Sequence, residues 1–307
     1  TLKNGKFRNW AGSVTTHPDR VHYPATIDEV AAIVSSLPAG RSIRPVGGGH
    51  SFTPVAAGEQ DMMSLDNLSG VVKVDRARKR VRFLAGTRLH HVPQLLAPFG
   101  LALANQGDID TQSIAGAIST STHGTGIGYT GFAGTVTALS LIDASGNLHS
   151  FAFDDDPDAL RLVTVSLGAL GIIVEVEMQC VDSFDLLAVE GAEDFTEVLD
   201  TWEERTRAVD HYEAFWFPHT DRAMVKSNTR LEPTAPAPDG EPRPRTWLTR
   251  AFEEEVIGNG VFAASLAFTR RVPAAIPRLN AISVAAMGAT TYRSRAHEVF
   301  ASPRRVR

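Results

Sequence analysis

The feature that most constrains this chain is a run of three glycines followed by a histidine, in the segment RPVGGGHSFTP at residues 44–54. Glycine has no side chain to collide with a neighbour and tolerates positive φ, so such a run lets the backbone pass close to a bulky group. The residues that follow form neither a nucleotide P-loop nor the spaced glycines of a dinucleotide fingerprint. We therefore expect a loop that contacts a ligand of another kind, with His50 beside it.

The composition is that of a globular protein and limits the kinds of partner. Of 307 residues, 43% are hydrophobic and 21% are charged, and the net charge of −5 argues against a nucleic-acid backbone as partner. The given sequence does not start with a charged-then-apolar signal-peptide pattern, although a leader could precede Thr1, and it has no apolar run of about eighteen residues that could span a membrane. The single cysteine, Cys180, lies in an apolar run and fits a reducing cytoplasm, where we expect the protein to reside. The length predicts two domains.

Local patterns predict the first elements around the glycine loop. Thr26 and Glu29 form a capping box, which begins a helix. Residues 42–46 then form a short strand that leads into the loop. Two hairpins with one buried face each are expected at residues 71–86 and 136–153.

Two further glycine-marked loops follow along the chain. The segment SIAGAISTSTHGTGIG at residues 113–128 predicts a helix start of small residues that runs into a second loop. Asp156 followed by Pro157 predicts the cap of another helix. The segment SLGALGIIVEVEMQ at residues 166–179 then predicts a third loop that enters a strand.

The residue pattern changes near residues 182–185, where the glycine loops cease and aromatic and charged residues become denser. A strand, a helix over residues 195–208 and two further strands are predicted next. A proline-rich surface loop or linker at residues 231–245 and two helical stretches follow. Residues 303–307 alternate as a strand does, without a turn or cap to end it. We therefore expect the functional polypeptide to continue beyond Arg307.

The glycine loop with its histidine, NQGDIDTQSIAGAISTSTHGTG at residues 105–126 and SLGALGIIVEV at residues 166–176 occur in this order and at these separations. Together they resemble the vanillyl-alcohol oxidase (p-cresol methylhydroxylase) flavoprotein family, above all its sugar-lactone and alditol oxidases. The resemblance implies an α+β fold: an FAD-binding domain of two subdomains over residues 1–183, and an α+β cap domain for the substrate over residues 184–307. It also implies that this cap domain is C-terminally incomplete.

The resemblance further implies which residues bind FAD. The backbone of the glycine loop would face the pyrophosphate, and His50 would bond covalently to the dimethylbenzene methyl group of the flavin. Some relatives bind FAD without this bond, so a histidine that is only hydrogen-bonded in a tight turn is the alternative. The residues assigned to the cofactor are Pro45, Val46, Gly47, Gly48, Gly49, His50, Ser51, Ser113, Gly116, Thr120, Ser121, Thr122, His123, Ile173 and Val174. His123 fits a packing role equally well.

Two residues are assigned to the catalytic centre by the same resemblance. Gly107 aligns with a position beside the oxygen-reactive edge of the flavin, where related dehydrogenases carry alanine. Asp108 aligns with a substrate-facing serine of the alditol enzymes, and it either accepts a substrate hydroxyl proton or is a solvated loop residue. We expect no metal site at the tandem His90 and His91, because adjacent helical residues point in different directions and no acidic or cysteine partner lies at ligand spacing.

The implied activity is the oxidation of an alcohol of a sugar lactone or alditol by hydride transfer to flavin N5, with oxygen as acceptor and hydrogen peroxide as product. The alternatives are a lactone dehydrogenase that passes electrons to a cytochrome or quinone, and a flavin-binding protein without turnover. A nicotinamide dehydrogenase is disfavoured, because the spaced glycine fingerprint is missing. The family's substrate-clamping residues lie largely in a stretch ending in His-Trp-Gly-Lys, which this sequence lacks, so none is assigned here.

Overall fold

The computed structural model describes residues 2–3, 5–232 and 259–301 of the chain, which form a mixed α+β fold. The elements before residue 184 are β1 Leu2–Lys3, β2 Lys6–Arg8, β3 Thr15–Thr16, β4 Arg20–His22, α1 Ile27–Ser35, β5 Ile43–Val46, β6 Asp61–Ser64, β7 Val71–Asp75, β8 Arg80–Leu84, α2 Val92–Leu96, β9 Leu101–Leu103, α3 Ile114–Ser119, β10 Val136–Ile142, β11 Leu148–Ala152, α4 Pro157–Thr164 and β12 Ile172–Asp182. The later elements are β13 Asp185–Asp194, α5 Phe195–Asp200, α6 Trp202–Ala208, β14 His211–Trp216, β15 Arg222–Leu231, α7 Phe262–Thr269, α8 Ile276–Ala285, β16 Thr290–Arg295 and α9 Ala296–Phe300.

A small parallel sheet carries the glycine loop. Its order is β4-β6-β5, with β6 in the centre. Helix α1 begins at the predicted capping box: the Thr26 hydroxyl accepts the Glu29 N–H at 3.1 Å, and the Glu29 carboxylate accepts the Ala25 N–H at 2.7 Å. Strand β5 ends at Val46, so the glycine run leaves the carboxyl edge of this sheet, where open α/β sheets bind ligands.

A second, antiparallel sheet supplies most of the core before residue 184. Its order is β11-β10-β12-β8-β7, and β9 also pairs with β12. Both predicted hairpins are confirmed, as β7 with β8 and β10 with β11. The Asp143 carboxylate closes the second turn by accepting the N–H groups of Ser145 and Asn147 at 2.8 and 2.9 Å. Cys180 is buried in β12, and burial raises the pKa of its thiol to about 12, as suits an inert strand residue.

A separate antiparallel sheet follows residue 184, in the order β14-β15-β13-β16. The prediction of one helix over residues 195–208 is wrong, because the structure has α5 and α6 with a break at Thr201. The Thr201 hydroxyl donates to the Glu197 carbonyl at 2.6 Å and accepts from Nε of Arg205, also at 2.6 Å. A hydroxyl that bonds the carbonyl four residues earlier bends or interrupts a helix.

Several predictions lie at or beyond the described ranges. The proline-rich segment is described only at Leu231 and Glu232, and residues 303–307 lie outside the described residues. Two helical stretches were predicted after the proline-rich segment, and among the residues described there the structure has the helices α7, α8 and the short α9. The pairing of β16 with β13 was not predicted.

Within the described residues, no helix combines the length and apolarity needed to cross a membrane.

Candidate active site

Three glycine-marked loops that are far apart in the sequence meet around one cleft. The first follows β5, the second contains the start of α3, and the third precedes β12. The predicted cofactor residues that line this cleft are Pro45, Val46, Gly47, Gly48, Gly49, His50, Ser51, Ser113, Gly116, Thr120 and Ile173. The tertiary structure therefore brings eleven of the fifteen assigned residues to one surface.

The geometry of the first loop favours glycine at positions 47 and 49, as it does at position 48. A Cβ at position 47 would lie 2.3 Å from Oγ of Ser113, which is closer than real atoms approach. Gly49 has a φ of 69°, a left-handed conformation that favours glycine. Ser113 is the N-cap of α3, where its hydroxyl accepts the Gly116 N–H at 3.2 Å. The first loop therefore packs directly on the start of α3.

His50 is held between two neighbours at the end of this loop. Its Nε2 lies 2.6 Å from Oγ1 of Thr111, and its ring stacks on Trp10 with the centroids 5.5 Å apart. The backbone N–H of Trp10 donates to the Gly49 carbonyl at 2.7 Å, so the tryptophan is itself fixed to the glycine loop. Burial lowers the pKa of His50, which favours a neutral imidazole at neutral pH. A neutral imidazole has one nitrogen without a hydrogen, and that nitrogen is a nucleophile, whereas an imidazolium has none.

The donors along the cleft fit the parts of FAD. Hydroxyl groups of Ser51, Ser113, Ser119 and Thr120 offer uncharged hydrogen bonds, and the Arg44 side chain adds a positive charge. Successive backbone amides in a turn bind anions such as a pyrophosphate. This set of small, hydroxyl-bearing and cationic groups matches a long cofactor that carries a diphosphate.

Arg88 and Thr111 contribute to the site although the sequence did not single them out. Arg88 Nη1 donates to the Thr111 carbonyl at 3.0 Å, and its Nη2 pairs with the Asp66 carboxylate. A Cβ at position 48 would lie 2.8 Å from the same Thr111 carbonyl and 3.2 Å from Arg88 Nη1. An isolated arginine or threonine carries no local signal, so only the folded chain reveals this contact.

The remaining assigned cofactor residues do not line the cleft. Thr122 Oγ1 accepts a hydrogen bond from the cleft residue Gln112 at 3.1 Å, so Thr122 helps to hold a side chain that lines the cleft. Ser121 and His123 are exposed in the loop after α3. Val174 is fully buried, and its carbonyl accepts the Ala85 N–H at 2.9 Å. Their assignment to FAD stays a prediction.

The two residues assigned to catalysis lie in the loop before α3. Gly107 is buried, and a Cβ there would lie 2.9 Å from the backbone carbonyl oxygen of His123. Asp108 is half-buried. Close packing of two loops is thus a sufficient reason for glycine at position 107.

Among the described residues, no group of three or more His, Cys, Asp or Glu side chains is arranged to hold a metal ion.

Comparison with known proteins agrees with this architecture. A family model described as FAD binding domain matches residues 18–152, and one described as D-arabinono-1,4-lactone oxidase matches residues 176–307. The chain is 34% identical over 300 residues to L-gulono-1,4-lactone dehydrogenase of Mycobacterium tuberculosis, which covers 97% of this chain and 68% of that protein. It is 30% identical to L-gulonolactone oxidase of Mus musculus, over 76% of this chain and 54% of that protein.

Solved structures show the same fold at low sequence identity. Cholesterol oxidase from B. sterolicum superposes with a TM-score of 0.72 at 19% identity, over 95% of this chain and 61% of that one. The chain thus spans between half and about two thirds of the length of these relatives. From the two family matches and the mycobacterial relative, the chain belongs to the vanillyl-alcohol oxidase (p-cresol methylhydroxylase) flavoprotein family, in the branch of the sugar-lactone oxidases and dehydrogenases.

Proposed function

We propose that this chain binds FAD in the cleft and oxidises a CH–OH group of a sugar lactone. The observation that carries the proposal is the position of His50: its imidazole, held by Thr111 and Trp10, lies at the end of a glycine loop that lines a cleft of hydroxyl groups and backbone. Relatives named as lactone oxidases and a lactone dehydrogenase support the substrate class. An alditol is the alternative substrate class.

We propose that the chain divides into two domains, one that binds FAD and one that covers the substrate. Residues 1–183 would form the FAD-binding domain and residues 184–307 the cap domain, with the division where β12 gives way to β13 of a different sheet. FAD supplies a two-electron acceptor that takes a hydride from the carbinol carbon. Asp108 is the residue we propose to accept the substrate hydroxyl proton, so that an alcohol becomes a carbonyl group.

His50 is proposed to hold the flavin covalently. Since Thr111 engages Nε2, Nδ1 would be the nitrogen that bonds the flavin methyl carbon, in the tautomer whose Nε2–H donates to Thr111. As this C–N bond formed, a methyl C–H bond would break, and its two electrons would pass to the flavin ring, which the electron acceptor would then reoxidise. The stacking of Trp10 restricts the imidazole to one orientation before the bond forms. The amides of residues 46–49 would face the pyrophosphate, and the hydroxyl groups of Ser113 and Thr120 would face the ribityl chain.

Two electron acceptors fit this reaction, and each has a supporting observation. Oxygen, giving hydrogen peroxide, is favoured by glycine at position 107, where a larger residue would restrict access for a diatomic molecule. A cytochrome or quinone is favoured by the relative named as a dehydrogenase, which is 34% identical over 97% of this chain. Stopped-flow mixing of substrate-reduced protein with aerated buffer separates them. Reoxidation within seconds with stoichiometric peroxide supports oxygen, and a reduced flavin that persists for minutes supports a carrier.

Anaerobic titration with sugar lactones and alditols tests the proposed activity. We expect the purified protein to be yellow, and its flavin absorbance to bleach on addition of a lactone. The same titration with an alditol distinguishes the two substrate classes. A yellow protein that no lactone or alditol bleaches would contradict the proposed activity and leave a flavin-binding protein without turnover. A colourless protein that takes up no added FAD would contradict the cofactor as well.

A further inference from the structure

Five side chains form a cluster where the two proposed domains meet, and no role in the reaction has been assigned to them. We call this group the junction cluster: Tyr129, Phe184, Asp210, His211 and Arg230. Tyr129 belongs to the loop after α3, Phe184 lies between β12 and β13, and the other three lie at or beside the ends of β14 and β15. The cluster therefore links one flavin-side loop to the cap sheet.

Arg230 is the centre of this cluster. Its guanidinium carbon lies 4.4 Å from the ring centroid of Tyr129 and 4.0 Å from that of Phe184, so the cation is placed between two aromatic faces. Its Nη2 donates to the carbonyl of Ala104. Burial of the guanidinium lowers the pKa of Arg230, and its contacts with the two rings and the Ala104 carbonyl replace part of the lost water.

Asp210 and His211 fix Tyr129 from the cap side. The Asp210 carboxylate accepts the Tyr129 hydroxyl at 2.8 Å with one oxygen and the backbone N–H of Arg230 at 2.8 Å with the other. Burial and this hydrogen bond raise the pKa of Tyr129 to about 12, so its hydroxyl stays a donor at neutral pH. The His211 ring stacks on Tyr129 at 4.6 Å, and its Nδ1 lies 2.9 Å from the Thr125 carbonyl.

These contacts act on two loops that touch each other near the residues assigned to catalysis. Ala104 begins the loop at residues 104–111, which carries Gly107 and Asp108, and Tyr129 lies near the end of the loop at residues 120–131. The loops meet where position 107 faces the His123 carbonyl, at 2.9 Å from a Cβ built there. Arg230 contacts both loops at once, through a carbonyl in one and an aromatic ring in the other.

We propose that Arg230 is a positioning residue that holds these two loops together and ties their spacing to the cap sheet. The part that concerns the flavin rests on the proposed function, whereas the part that concerns the loops does not. An uncharged side chain of similar length would lose both the hydrogen bond to Ala104 and the attraction to the Tyr129 ring. The two loops are also joined directly, since the Asn105 side-chain amide donates to the Thr125 carbonyl at 2.9 Å. Loss of Arg230 would therefore loosen the loops relative to each other and to the cap sheet, with the Asn105 hydrogen bond still in place.

Hydrogen exchange of the whole protein tests the loop-positioning step. In Arg230→Met, exchange of amides in residues 104–111 and 120–131 should rise about tenfold or more, because local opening follows the lost contacts. Arg222→Met is the matched control, since Arg222 lies in the same strand and donates to a backbone carbonyl, that of Ala192 at 2.5 Å, within the cap sheet. Unchanged exchange in Arg230→Met, or an equal rise in both variants, would overturn the proposal whether or not the protein turns over.

Flavin spectra and steady-state kinetics test the consequence for the site. In Arg230→Met the flavin absorbance bands should shift and kcat for the lactone should fall by about tenfold, with a smaller change in KM, because loop geometry and not substrate contact is altered. Arg230→Lys keeps the charge and should recover part of kcat. Tyr129→Phe keeps the ring and removes only the hydroxyl, so its loss should be smaller than that of Arg230→Met. An Arg230→Met protein with unchanged spectrum and kcat would contradict the proposal.

Discussion

The imidazole Nε2 of His50 lies 2.6 Å from the hydroxyl Oγ1 of Thr111. These residues are 61 positions apart, and the hydrogen bond joins the end of the glycine loop to the loop that precedes α3. It fixes which ring nitrogen is engaged by the protein and which remains for a ligand. A histidine after three glycines is visible in the sequence, but the partner that orients it is not.

Covalent attachment through His50 is the first testable consequence. In His50→Ala, acid precipitation should release all flavin into the supernatant, whereas the parent protein should retain a yellow pellet. Thr111→Val keeps the shape and removes the hydroxyl, so it should slow flavin incorporation without abolishing it. Thr130→Val is the control, because the Thr130 hydroxyl donates only to the neighbouring Gly131 carbonyl. Extractable flavin in the parent protein would refute the covalent bond.

Close packing of the glycine loop on α3 gives a second prediction. Gly47→Ala places a Cβ 2.3 Å from the Ser113 hydroxyl oxygen, so FAD binding should weaken by about tenfold or more as the loop shifts. In the Ser113→Ala background the nearest side-chain contact relaxes to 3.3 Å, and part of the affinity should return. Gly128→Ala is the control, since a Cβ there meets nothing within 4 Å. All four proteins are made in the His50→Ala background, so that FAD binding is reversible and apoprotein can be prepared. Calorimetric titration with FAD then measures each affinity, and equal affinities would refute the packing argument.

Substitution of Gly107 tests whether glycine is needed there for loop packing or for access of oxygen to the flavin. Gly107→Ala should lower the free energy of unfolding by about 1 to 3 kcal/mol, because the new methyl group meets the backbone carbonyl of His123. Gly131→Ala strains the same loop from another side, with contacts of 3.1 Å to the Thr122 carbonyl and 3.2 Å to the His123 Cβ. If glycine at 107 admits oxygen, only Gly107→Ala slows flavin reoxidation in the stopped-flow measurement. Equal slowing in both variants would point to displacement of the loop.

The free energy of unfolding at low pH should depend on the Asp61 carboxylate. Burial of this carboxyl opposes its ionisation, but hydrogen bonds from His22 and Arg41 outweigh burial and hold its pKa below 3.8. Its stabilising effect is therefore present above pH 3.8 and is lost as the pH falls through the lower pKa of the folded protein. Asp61→Asn should cost about 1 to 3 kcal/mol of unfolding free energy at pH 7.

Urea unfolding at several pH values tests this dependence. The difference in unfolding free energy between the parent and Asp61→Asn should narrow as the pH falls below 3.8. Asp200→Asn, at an exposed position, should change stability little and equally at each pH. A difference between the parent and Asp61→Asn that stays constant down to pH 2.5 or so would contradict the role of the Asp61 carboxylate.

The elements that the sequence predicted correctly are those with local causes. The capping box at Thr26 and the turn at Asp143 each involve residues within four positions of one another, so their pattern is legible without the fold. The break at Thr201 was missed although its cause is also local, because threonine is common inside helices and its hydroxyl has several possible partners. The strand β16 was missed because it exists only through its pairing with β13.

By itself, the sequence determined the three glycine loops, their order and their small, hydroxyl-bearing residues, since these are properties of residue type. That was sufficient to predict the family and its α+β fold, which the comparisons confirm. Only the tertiary structure decided that Thr111 orients His50, that Gly107 packs on His123, and that Arg230 reaches Ala104 across 126 positions. Such contacts depend on how separate sheets and loops pack together, and no local pattern of side chains determines that packing.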